Sequence, residues 1–243
     1  MSKHKGTRLN CFSPPVMLAT LIIETSLAIY TVWRYKLTTV ARLITTLLLT
    51  LAAFQLAEYH VCTASSYADQ WSRLGFVAIT ALPPLGLHLM HVLADKPNRK
   101  LVWAGYTTMV GFSSFFLLAA NTFTGHQCTG NYVIFQFSQN VTGAYSLYYY
   151  GWLLVGISLG IHWANELNEK GKSAVKRLQA VRGLVAGYFV FLLPTAIANT
   201  VKPETRRGIP SVMCGFAVLL ALTLVLYVLP RVGDLKSKAV AKA

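Results

Sequence analysis

The stretch "ALPPLGLHLMHVLADKPNRK" occupies residues 81–100 and decides how the chain is read. Two adjacent prolines and two histidines three residues apart interrupt an apolar segment, which then stops at a short basic turn. In water this would be a broken core helix. In lipid it reads differently. A proline frees backbone carbonyls that only the protein itself can satisfy, so such a segment must be buried among other helices. The rest of the chain favours lipid. Of 243 residues, 54% are hydrophobic and only 12% charged, about half the charged share of a soluble domain.

The charge shortage is regional. Seven runs of about 20 residues lack charge almost entirely, and 20 helical residues match the bilayer core. They are 15–34, 43–62, 74–94, 101–120, 144–167, 184–201 and 211–229. The expected fold is an all-α integral membrane protein, a bundle of seven transmembrane helices. It divides into an extracytoplasmic N-tail (1–14), a membrane domain (15–230) with an outer loop at 121–143, and a basic cytoplasmic tail (231–243). No apolar h-region follows the basic start, so no cleaved signal peptide is expected. The 96–100 turn is so short that spans three and four must be antiparallel neighbours.

Orientation follows from the cations. An odd number of spans puts the termini on opposite sides. Seven of the 22 Lys and Arg fall on the N-terminal side and fifteen on the other. Cytoplasmic loops collect Lys and Arg, so the expected N-terminus is outside and the C-terminus cytoplasmic, in a cell inner membrane. The net charge of +14 is explained in the same way. No aromatic-basic module accompanies it, so the expected partner is the lipid bilayer and not nucleic acid.

Cys62 and Cys128 both fall on the outer side, where disulfides persist. They form either a bridge or two free thiols. Cys11 is also outside, and Cys214 lies in the last span. Within the outer loop "NYVIFQF" (131–137) alternates and is β-prone, which suggests a strand or hairpin over the outer mouth.

Several residues are candidates for function. Pro83 and Pro84 free the carbonyls of Ile79 and Thr80 and make a hinge, with Pro194 as a second kink candidate. Thr80, Pro84, His88 and His91 share one helix face. His88, His91 and His162, with Glu166 one turn on, allow zinc or haem as a minority reading. The competing reading is hydrogen bonding between helices, and no cofactor is expected on it. Glu24 lies mid-span, where an ionisable group is costly and faces the interior or a water-filled cavity. Near the outer end, Glu58, His60, Tyr148, Tyr149 and Trp152 together with Glu24 make a candidate ligand site. The Tyr-rich run is equally an interfacial aromatic belt. Gly156/Gly160 and Gly183/Gly187 suggest close helix approach. No span core holds a lysine, so a rhodopsin-type Schiff base is not available.

The seven spans, the outside N-terminus and "WSRLGFVAITALPPLGLHLMHVL" (71–93) together resemble the seven-transmembrane sensor region at the N-terminus of some bacterial histidine kinases. There a Trp-x-Arg motif opens span three and a proline-containing apolar helix follows; here these positions are Trp71, Arg73, Pro83 and Pro84. The resemblance covers roughly residues 15–230 and implies a ligand-sensing bundle. After Leu229 only about a dozen polar residues follow, so no kinase or cyclase domain is expected. A sensor of this form would signal through a separate partner, with the basic loop 170–182 (Lys170, Lys172, Lys176, Arg177, Arg182) as its contact. The rivals are a metal- or haem-binding membrane enzyme, a small transporter coupled through Glu24, and a purely structural subunit.

Overall fold

The computed structural model describes residues 14–63, 65–120, 122–128, 133–136 and 139–234. Cys11 and most of the two tails lie outside the described residues. The described chain is a bundle of seven helical rods. They are α1 (Pro14–Arg34), α2 (Thr39–Thr63), the broken pair α3 (Ala68–Thr80) and α4 (Leu82–Ala94), α5 (Arg99–Leu118), α6 (Gln139–Glu169), α7 (Val175–Val201), and a last rod of α8 (Ile209–Leu222) and α9 (Leu229–Val232) joined by a π-helical turn.

Six of the rods are long and apolar enough to cross a membrane. The remaining one, α6, has 31 residues, but its Tyr, Asn, Gln and Glu residues dilute its apolar character. It packs against α4 and α7 all the same. The rods differ in burial. The α3–α4 rod is 72% buried across its most apolar window, whereas α5 is 11% buried, so α3–α4 forms the core and α5 the rim. Exposed Trp33, Leu118, Leu147 and Ile29 place large apolar surface outward, as a lipid-facing bundle requires.

Lipid tails are as apolar as leucine, so contact between such helices depends on close packing. Gly183 and Gly187 provide it between α7 and the last rod. A Cβ on Gly183 would lie 2.6 Å from the Tyr227 ring, and one on Gly187 2.8 Å from Leu220. Gly160 likewise faces Met90 and Val185, whereas Gly156 has only ordinary contact room beside Leu87.

The prolines act where the sequence places them. Helix α3 ends at Thr80, the Ala81 N–H turns back to the Ala78 carbonyl, and α4 restarts with Pro83 and Pro84 in its first turn. Pro84 leaves the Thr80 carbonyl without its helical donor. Tyr148 of α6 replaces it, its hydroxyl donating to Thr80 O at 2.7 Å. Tyr145 pairs with the Thr80 hydroxyl at 3.1 Å. By contrast α7 is one continuous helix with Pro194 inside it. A π-helical turn at Thr223–Val228 precedes Pro230, and the Leu229 N–H reaches Leu224 O, five residues back. Pro230 cannot donate to Leu226 and crowds it, which accounts for the rewinding.

The chain between α5 and α6 forms a hairpin, β1 (Gly125–Cys128) antiparallel to β2 (Val133–Gln136), with Cys128 opposite Val133. A Cys62–Cys128 disulfide fastens it to the end of α2. Val133 and Phe135 alternate inward. Phe135 joins Phe54, Phe76 and Phe123 in a cluster of edge-on and tilted rings. Arg73 closes the same end. Its Nη1 donates to the carbonyls of Phe116 and Ala119, both at 2.9 Å, capping the C-terminus of α5, while Nε pairs with Asp69.

At the opposite end the ties are polar and near the surface. Arg177 pairs with Asp95, Lys96 with Glu166, and Arg231 donates to Gln179. Asp95 has a left-handed backbone, φ 55°. Its N–H meets Val92 O and the Lys96 N–H meets His91 O, a closure that ends α4 sharply before α5.

Candidate ligand pocket beneath the hairpin

Helix α6 enters the bundle with Thr142, Tyr145, Ser146, Tyr149 and Tyr150. The offsets of three, four, seven and eight from Thr142 make one stripe. This stripe forms one wall of a cavity of about 340 Å³. Strand β2 roofs it with Phe135 and Gln136; Ile209, Met213 and Cys214 of α8 and Ile79 of α3 complete it. The lining is mainly apolar, with a few hydroxyls and the Gln136 amide as polar fixtures. That composition and size suit a small organic ligand. Tyr145 touches both the cavity and Thr80 at the break of the α3–α4 rod, so the pocket wall and the broken helix are mechanically joined.

Behind α8 lies a second feature. Glu24 of α1 and Glu58 of α2 are fully buried and near enough to feel each other's charge. The Ser211 hydroxyl bonds the Glu58 carboxyl and accepts the Val133 N–H at 3.2 Å, linking the acid to β2. Neither Glu24 oxygen has a hydrogen-bond partner among the described residues, and the same holds for Gln55 Nε2. Cys214 lines the cavity from α8, the same helix that supplies Ser211 to Glu58.

The sequence-predicted ligand set is therefore divided. Tyr149 lines the cavity. Tyr148 is spent on the Thr80 carbonyl, and Trp152 donates to Thr108 of α5 at 3.0 Å. Glu24 and Glu58 sit behind the wall. His60 stacks on Trp71 with ring centroids 4.3 Å apart. Tyr145 and Tyr150 belong to the Tyr-rich run 145–152 and line the cavity with Tyr149, while Met213, Cys214 and Gln136 line it without having been singled out. No local signal in the sequence points to β2 or α8 as the rest of the lining.

The histidines are apart in their contacts. His88 bonds the Tyr106 hydroxyl at 3.0 Å, and His91 turns Nδ1 to Leu87 O with its ring edge-on to Trp163. His162 pairs with Glu166 on an exposed surface. Among the described residues no group of three or more His, Cys, Asp or Glu is placed to hold a metal. No family model matches the chain, and no curated protein or solved structure matches it.

Proposed function

We propose that this chain is a receptor-like membrane module that binds a small, largely apolar ligand in the pocket beneath the hairpin. The observation that supports this is the shared tyrosine stripe: Tyr145 and Tyr149 line the pocket, while Tyr145 and Tyr148 hold the broken α3–α4 rod. A ligand that displaces Tyr145 alters the support of Thr80 and so favours one arrangement of the rod over another. Differential affinity for two arrangements is what a signal requires. In this reading all seven rods cross the inner membrane, the N-terminus and hairpin face outward, and the basic 170–182 loop faces a cytoplasmic partner. The lopsided cations and the disulfide agree with that orientation. The resemblance to the sensor region of histidine kinases points to the same use.

The test is a thermal-shift screen of small amphipathic compounds on the detergent-purified chain. Compounds that raise Tm should lose that effect in Tyr149→Ala and keep it in Trp152→Phe. If stabilising compounds act equally on the Tyr149→Ala variant, the pocket is not their site.

A second reading has its own support, the buried Glu24, whose carboxyl has no hydrogen-bond partner among the described residues and feels the charge of Glu58. Two neighbouring buried carboxyls are a place to hold a proton during transport. Proteoliposome flux that survives in wild type and disappears in Glu24→Gln, with unchanged Tm, would select it.

A further inference from the structure

At the end remote from the hairpin a cleft of about 690 Å³ opens between the starts of α2 and α7 and the ends of α4 and α9. Four cations line it, Lys172, Lys176, Arg177 and Arg231, and among the described residues no carboxylate does. Its floor is apolar, with Val92 and Leu93 of α4. The π-helical turn helps shape it: Arg231 is held with its guanidinium 3.4 Å over the Tyr227 ring while Nε reaches Gln179. Arg177 leans on Asp95 at the rim, but Lys172 and Lys176 make no ion pair among the described residues. The first turn of α7 opens at this cleft, and its N-cap Ala174 offers no side-chain acceptor. Like charges gathered in one concavity repel, and an anion relieves that repulsion.

We propose that this cleft is a binding site for a phosphoryl-bearing anion. The forked guanidinium of Arg177 and the mobile ammonium groups of Lys172 and Lys176 suit phosphoryl oxygens, and the volume admits more than a bare phosphate. The same chemistry reaches the cleft from two sources, a soluble phosphate ester or a phospholipid headgroup. The proposal is independent of the hairpin pocket and survives if that reading fails.

The experiment uses the full chain in phosphatidylcholine nanodiscs, with pyrophosphate as the soluble probe and chloride to hold ionic strength constant. A saturable rise in Tm is expected, with half-saturation roughly tenfold weaker in Lys172→Ala/Lys176→Ala. A charge-matched control at the start of α5, Arg99→Ala/Lys100→Ala, should respond like wild type. Nanodiscs containing phosphatidylglycerol give the second arm. If the headgroup is the source, those discs raise Tm in wild type but not in the cleft variant, and added pyrophosphate has less left to gain. The proposal is overturned if neither probe exceeds the chloride effect. It is equally overturned if the control variant loses as much response as the cleft variant.

Discussion

The two ends of this bundle solve the same problem with different chemistry. At the hairpin end the ties are covalent, aromatic or aimed at backbone carbonyls: a disulfide, ring-on-ring packing, Arg73 on three carbonyls at the end of α5, and Tyr148 on the carbonyl freed by Pro84. At the opposite end the ties are side chain to side chain and reach the surface: the half-exposed Lys96–Glu166 pair, the exposed Arg177–Asp95 pair, and Arg231 on Gln179. The difference teaches where water can be relied on. A carbonyl opened within an apolar bundle has no solvent to fall back on and must be matched by a dedicated donor. An end rich in surface Lys and Arg needs only loose pairing. The hairpin end should therefore be stiff and costly to alter, and the cation-rich end forgiving.

The largest loss is expected at the disulfide. Cys62→Ser/Cys128→Ser should destabilise the chain by about 2–4 kcal/mol, since the bridge closes a long loop. Denaturation in detergent with and without reductant measures it, and reductant should lower wild-type stability but not that of the variant. Next, Gly183→Val should cost about 1–3 kcal/mol by forcing α7 away from Tyr227 and Val228, visible as a lower Tm. Gly156→Ala, in open contact room, serves as the near-neutral companion. Tyr148→Phe removes one hydroxyl and leaves Thr80 O unmatched, a loss of about 1–2 kcal/mol by the same measurement. The smallest effect belongs to the far end. A double-mutant cycle on Asp95→Ala and Arg177→Ala should give a coupling of about 0.2–1 kcal/mol that fades with added salt. A coupling as large as the Tyr148 loss would erase the distinction between the ends.

Much of the helical architecture was legible because lipid leaves few options: charge-free runs become helices, and adjacent prolines become a break. The consequence at Thr80 was legible too, down to the carbonyl that Pro84 frees. What supplies its donor was not, because Tyr148 is 68 residues away and belongs to a run that reads equally as an interfacial belt. The candidate site was legible only in part. Tyr149 lies where a ligand would be, yet Glu24 and Glu58 stand behind α8. Composition marks a buried acid but not which side of a neighbouring helix it occupies. The π-turn went unread although Pro230 was its signal, because a proline near a helix end is ordinarily a stop. Three of the basic cleft's four cations stand in the 170–182 loop that the sequence marks, but Arg231 and the apolar floor of α4 come from distant segments, so the concavity itself is not legible there.

In the proposed orientation the hairpin and its pocket face outward and the basic cleft faces inward. The most direct measurement is labelling with a membrane-impermeant maleimide, on a Cys11→Ser/Cys214→Ala background that leaves only the Cys62–Cys128 bridge, of single free cysteines at exposed Tyr67 and Lys170 in expressing cells. The account predicts that Tyr67→Cys is labelled in intact cells and that Lys170→Cys is labelled only after the membrane is opened. Labelling of Lys170→Cys in intact cells, with Tyr67→Cys protected, would invert the bundle and contradict a ligand arriving from outside.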